Sequence, residues 1–235
     1  MKFLKRTMVF VLLSVIFASM FGCASMELKE YVPSEEKYFS FGEITAEDED
    51  GVTEVVGYSV KKNAEEELPE ALFIPDEYQG KPVIEIENEA FKGCALKEVR
   101  IPTSVKTVGE YAFAGCTALY EVFFYSGKTG CTAINAHAFA DCSALEELTM
   151  PGTLKSIGDF AFSFSGIKSV EIPRPVVSIG TSAFAFCTKL ERVEIAVKLA
   201  EVGENAFTRC ADNLVIIVAK SNPYFYAENG VLVKR

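Results

Sequence analysis

From Ile86 to Val218 the chain repeats one arrangement of apolar and polar positions about every 23 residues. A branched aliphatic opens each copy, at Ile86, Val108, Ile134, Ile157, Ile179 and Val202. An Ala-Phe pair follows, with its phenylalanine at Phe91, Phe113, Phe139, Phe162, Phe184 and Phe207. Three residues further on stands a cysteine, at Cys94, Cys116, Cys142, Cys187 and Cys210, with Ser165 in the fourth copy. A hydrophobic triplet closes the copy, as in Leu119, Val122 and Phe124 or Leu145, Leu148 and Met150. The alternation at the end of the triplet predicts one short strand per copy. The Gly-x-x-Ala-Phe stretch predicts a tight turn into a short helix or 3₁₀ turn on the return side. A single copy has too little apolar surface to fold alone, whereas stacked copies share one continuous core with the phenylalanines in a column.

Both ends of the array differ from its middle. Tyr38 to Ile44 and Val52 to Val60 are strand-like runs around the acidic turn Glu47 to Gly51, and predict a hairpin that caps the first copy. The triplet spacing is that of a leucine-rich repeat. The run Ile157-Gly158-Asp159-Phe160-Ala161-Phe162, followed by Ile167, Val170, Ile172 and Pro173, resembles the BspA-like, treponemal-type repeats of bacterial surface proteins. Leu72 to Pro75 with Gln79 to Val83 is similar to the entry module of such arrays, and Asn222 to Tyr224 with Asn229 to Val233 to their closing hairpin. The expected fold class is therefore α/β: a leucine-rich-repeat solenoid of short parallel strands, about six repeats of 22–26 residues, few short helical turns and an N-terminal β-hairpin cap. Its parts are a capping module over 37–83, repeats over 84–220 and a remnant of the closing hairpin over 221–235. The resemblance implies binding, since members include adhesins for host matrix proteins; it does not by itself fix a function.

The first residues form a separate object. Lys2, Lys5 and Arg6 precede an uncharged apolar run from Met8 to Phe21. As a helix this run rises roughly 21 Å, short of the ~30 Å hydrocarbon layer, which is the pattern of an export signal over 1–22. Gly22-Cys23 resembles a bacterial lipobox, with Phe21 where a small residue is usual, and makes Cys23 the expected site of lipidation. An ordinary signal cleaved nearby is the other reading. Residues 23–36 are polar, contain Pro33 and lack periodicity, as a flexible tether does.

Composition narrows the chemistry. A formal net charge of −10, from 23 basic and 33 acidic residues, argues against nucleic acid. It also means that membrane attachment rests on acyl chains rather than on charge. Seven cysteines in an exported chain invite disulfides, but five share one repeat position, and Cys131 aligns with the apolar Val105, Leu154, Val176 and Leu199. Free buried thiols are the expectation. A metal site from Cys131, His137 and Cys142 lacks a fourth ligand and any compact zinc spacing. Gly127-Lys128-Thr129 lacks the upstream glycine of a phosphate loop and reads as an insertion at a repeat turn. With a single histidine, no catalytic arrangement forms. No enzyme activity, cofactor or metal is expected.

Function then falls to the outer face of the strand ladder. Its positions between the second and third triplet residues are Arg100, Phe123, Thr149, Glu171, Glu194 and Val218; those just before the second are Glu98, Glu121, Glu147, Ser169, Arg192 and Ile216. Tyr120, Phe123 and Tyr125 alternate along one rung beside Arg100, and these four are the candidate partner-binding residues. The other reading of Tyr125 is packing against the inserted loop. The expected protein is an exported lipoprotein at the outer membrane or cell surface that binds a protein or glycan ligand. A periplasm-facing lipoprotein with a structural or assembly role is the alternative.

Overall fold

A strand of two to four residues has no partner within its own copy, so each copy completes its hydrogen bonds only on its neighbours. The computed structural model describes residues 33–235. The export signal, Cys23 and the tether up to residue 32 lie outside the described residues. The tether ends sooner than the composition suggests: Ser34 N–H donates to Phe73 C=O at 3.0 Å, and Phe73 N–H returns to Ser34 Oγ at 3.0 Å. A 3₁₀ turn over Glu36–Tyr38 leads into the cap.

The cap is the expected hairpin, β1 Phe39–Glu47 against β2 Thr53–Lys62, followed by β3 Ala71–Phe73, β4 Glu77–Tyr78 and β5 Lys81–Ile86. The coils then supply, in order, β6 Glu98–Ile101, β7 Thr107–Val108, β8 Glu121–Phe124, β9 Ala133–Ile134, β10 Glu147–Thr149 and β11 Ser156–Ile157. They continue with β12 Ser169–Ile172, β13 Ser178–Ile179, β14 Arg192–Ile195, β15 Glu201–Val202 and β16 Val215–Val218. The hairpin β17 Phe225–Glu228 and β18 Val231–Lys234 closes the chain. The strand expected on the hydrophobic triplet is present in all six copies. A second ladder, built on the branched aliphatic that opens each copy, joins β5, β7, β9, β11, β13 and β15 to the cap in one nine-stranded sheet.

The return side has the expected tight turns, as in Ala114 N–H to Tyr111 C=O at 3.1 Å, but they do not join into a helix. Each copy carries two left-handed residues four apart, such as Tyr111 (φ 56°) and Gly115 (φ 72°), or Phe160 (φ 54°) and Phe164 (φ 58°). A left-handed residue on either side of Ala-Phe prevents a run of helical dihedrals. Amides between these local bonds reach outward: Phe91 N–H donates to Ala112 C=O at 2.7 Å, and Phe113 N–H to Ala138 C=O at 2.8 Å. The only helical element among the described residues is the 3₁₀ turn in the cap.

Behind this turn the six phenylalanines form the expected column. Successive ring centroids from Phe91 to Phe207 lie 5.2, 5.1, 5.3, 5.2 and 5.5 Å apart and nearly parallel. The first five rings are fully buried; Phe207, at the end, is half-buried. Phe39 of the cap closes the other end, edge-on to Phe91 at 6.4 Å. In four copies a glycine follows the aliphatic, at Gly109, Gly158, Gly180 and Gly203, and permits this close approach, since a Cβ on Gly158 would come within 2.6 Å of the Ala136 nitrogen in the preceding coil.

Cys116, Cys131, Cys142 and Cys187 are buried free thiols, and Cys94 and Cys210 are half-buried. The repeat cysteines have a bonding role that composition did not show: Cys116 Sγ–H donates to Phe91 C=O at 3.1 Å and Cys142 to Phe113 C=O at 3.2 Å. One register expectation needs correction. In the last rung the outward residues are Val215 and Ile217, which pair with Arg192 and Glu194, rather than Ile216 and Val218. The last copy has the same length up to its strand, but its leucine stands one position later: Asn213 occupies the place of Leu190, and the turn closes from Leu214 N–H onto Ala211 C=O, where the preceding copy closes from Leu190 onto Cys187.

Two outcomes follow from this packing. Phe139→Ala and Phe162→Ala should each cost about 3–5 kcal/mol in denaturant unfolding, as for other buried phenylalanines. Burial pushes the Cys116 and Cys131 thiols up to about 12. Because the unfolded chain loses these protons near pH 8.5 while the fold keeps them, their contribution is complete below about pH 8.5 and falls as pH rises toward 12. Urea midpoints should therefore drop between about pH 7.5 and pH 10. The drop should be shallower in Cys131→Val, which installs the residue already present at Val105 and Val176.

Candidate functional site

The outer face of β6 and β8 is set by parallel register: Glu98 pairs with Glu121 and Arg100 with Phe123, and β10 extends both rows to Glu147 and Thr149. Alternation sends Val99, Ile101, Val122 and Phe124 into the core and leaves these residues outward. Arg100 nevertheless is only 5% exposed. Its guanidinium meets both oxygens of Glu121, at 2.5 and 3.0 Å, and Glu98 at 3.3 Å, while the Phe123 ring lies over it at 5.2 Å. Burial works against its charge, but the hydrogen bonds and field of Glu121 outweigh that and raise its pKa. Arg100 is thus the paired floor of the site rather than an exposed contact.

Phe123 and Tyr125 share a face, their rings edge-to-face at 5.0 Å. Tyr120 does not alternate with them as expected. It precedes β8, on the opposite parity, and joins the cluster by donating its hydroxyl to Glu98 at 2.5 Å. That bond pushes its pKa up to about 12, and its ring is 40% exposed. The structure therefore brings Arg100, Tyr120, Phe123 and Tyr125 together with Glu98 and Glu121, two carboxylates whose role at Arg100 depends on burial that one sequence does not display.

The other constellations have structural occupations. His137 is stacked between Tyr111 (4.4 Å) and Phe160 (4.9 Å) on the return side, while Cys131 Sγ–H donates to Ala133 C=O at 3.3 Å inside the coil. Asp48 accepts N–H bonds from Asp50 and Val52 and so closes the hairpin turn.

Residues 84–214 match the family described as BspA type leucine-rich repeat region, in six copies. The chain belongs to the BspA-type leucine-rich repeat family. Among solved structures of this kind, a leucine-rich repeat protein of T. pallidum is 29% identical, covers 80% of this chain and 82% of its own, and superposes with a TM-score of 0.66. A leucine-rich repeat protein from Bacteroides ovatus is also 29% identical, over 80% of this chain and 46% of its own, with a TM-score of 0.59. A leucine-rich cell surface protein from Faecalibacterium prausnitzii shares the fold at 23% identity, over 81% of this chain and 56% of its own, with a TM-score of 0.54. A comparison with curated proteins finds no match. BspA-type proteins are bacterial surface proteins, and their repeats serve protein binding.

This BspA-type solenoid also carries exposed aromatics on its return side. Phe164 and Phe186 stack at 4.4 Å, with the Arg209 guanidinium 5.5 Å from the Phe186 ring. They stand 22 residues apart at a position that Gly93, Gly115, Asp141 and Arg209 hold in the other copies, so no periodic signal marks them in the sequence.

The energetics of the site are open to a direct check. Arg100→Ala strands Glu98 and Glu121 without their cation, and should cost about 3 kcal/mol in denaturant unfolding. Arg100→Met, with Glu98→Gln and Glu121→Gln, should recover most of that loss.

Proposed function

We propose that the protein is a cell-surface binding protein, held by lipid on Cys23, whose outer ladder captures a protein ligand. The observation that supports this reading is the Arg100 cluster. A buried cation held by two carboxylates fixes the floor, and Tyr120 and Phe123 stand on it with their rings already oriented. Pre-ordered aromatic side chains lose little entropy on binding, and aromatic anchors dominate interface energies. The surrounding ladder is acidic and hydrated, which suits a rim that steers association rather than one that holds the complex.

Solid-phase binding to immobilised matrix proteins tests the assignment. Tyr120→Ala and Phe123→Ala should each weaken binding about thirtyfold, or ~2 kcal/mol, with folding intact. Glu171→Ala and Glu194→Ala should alter association rate and salt dependence while leaving affinity near wild type. Wild-type binding by the aromatic variants together with failure of the glutamate variants places the interface elsewhere. Cys23→Ala should abolish labelling by radioactive palmitate; retained label removes the lipid anchor from the reading.

A further inference from the structure

The outer ladder is not continuous. β3, β6, β8 and β10 form one parallel sheet and β12, β14 and β16 another, and among the described residues no main-chain hydrogen bond joins β10 to β12. The same two coils stay paired on the return side, where Ile157 bridges Ile134 and Ile179 and Phe162 stacks on Phe139 at 5.3 Å. The break is therefore local, a slot in one wall of an otherwise closed stack.

Three observations say what would fill it. First, the main chain on both walls is open. In the intact ladder, Arg100 C=O receives Ile74 N–H from the side of β3, while Ile101 C=O receives Tyr125 N–H beyond β8. By the same alternation, Leu148 and Met150 turn their peptide groups into the slot from β10, and Ser169 and Glu171 from β12. Second, the floor is apolar and uncovered. Leu148 and Met150 are half-buried, whereas Val122 and Phe124, their register neighbours on β8, are buried. Third, the rim has a charge order. Glu147 and Glu171 flank the slot and are exposed, Lys168 ahead of β12 reaches across the break to Glu146 at 2.6 Å, and Arg174 stands two residues past the end of β12. The cleft holds about 490 Å³ between Leu148, Thr149 and Met150 on one wall and Glu171, Pro173 and Arg174 on the other.

We propose that this slot binds an extended peptide segment as an added parallel strand. Its main chain pairs with the open edges, apolar residues at alternate positions cover Leu148 and Met150, and basic residues between them meet Glu147 and Glu171. An acidic residue or the carboxyl end then reaches Arg174. Only an extended backbone offers donors and acceptors at the spacing of a strand edge, with side chains alternating between floor and rim. The slot lies beyond β10 and does not rest on the binding role given to Tyr120 and Phe123.

Fluorescence anisotropy of the full chain with fluorescein-Lys-Val-Lys-Val-Glu is the test. Saturable binding is expected. It should weaken at least tenfold in Glu147→Gln/Glu171→Gln, and equally when both valines of the peptide are N-methylated. Phe123→Ala should leave it unchanged. Hydrogen exchange should show the amides of Ser169 and Glu171 becoming protected as peptide is added. Equal binding by the N-methylated peptide, or by Glu-Val-Glu-Val-Lys, overturns the strand assignment, as does absence of binding. If light scattering instead shows the chain pairing with itself and the glutamate variant alone monomeric, the occupant is a second copy and the peptide proposal fails.

Discussion

Apart from the break between β10 and β12, the strands of each coil leave their main-chain hydrogen bonds to be completed by the neighbouring coils. Strands of two to four residues gain nothing from their own copy, and the left-handed residues around Ala-Phe limit local bonding to single turns such as Ala114 N–H to Tyr111 C=O. Three columns of inter-coil bonds result: the outer strands, the short strands and the turn at the phenylalanines. The side-chain columns then inherit their spacing from the backbone. Rings stacked at 5.1 to 5.5 Å, thiols reaching the carbonyl of the preceding phenylalanine, and glycines too close to a neighbour for a Cβ are consequences of one translation repeated.

That dependence explains which features the amino-acid sequence disclosed. The phenylalanine and cysteine columns and the triplet strands are periodic, so six copies report them together. The ladder at Thr107–Val108 and its equivalents was hidden because two residues carry no alternation to recognise. The outward register at Val215 and Ile217 is hidden because Leu214 stands one position later than Leu190 does in its copy, so counting from the leucine is off by one while the strand keeps its place. The cap hairpin was legible from its strands and acidic turn, but the docking of Ser34 on β3 was not, since a polar segment bonded through its backbone resembles a free one.

The candidate site shows a different limit. Outward placement of Arg100 and Phe123 follows from alternation, and the structure keeps it. Burial of Arg100 does not follow from alternation, because it arises from its neighbours: Glu121 and the Phe123 ring from the next rung, and Glu98 two residues back on its own strand. Tyr120 reaches the cluster through its hydroxyl rather than through strand parity. The discontinuity beyond β10 belongs to the same class, since pairing between coils is a property of two copies that neither displays alone.

The two ends of the stack are unlike each other. Phe39 and the hairpin seal the face of Phe91, whereas Phe207 at the opposite end keeps part of its surface open to solvent. Proteins are made from the amino terminus, so the sealed end is also the first to be completed. Each later coil emerges to find a finished template at its back, and its ring, thiol and strands can settle there before the next is available. Assembly can then run as a zipper with a fixed starting point, finished when the hairpin of β17 and β18 docks on β16 with Phe225 buried. A stack sealed only at its last coil would lose that ordering, with each half-made chain exposing bare edges until synthesis was over.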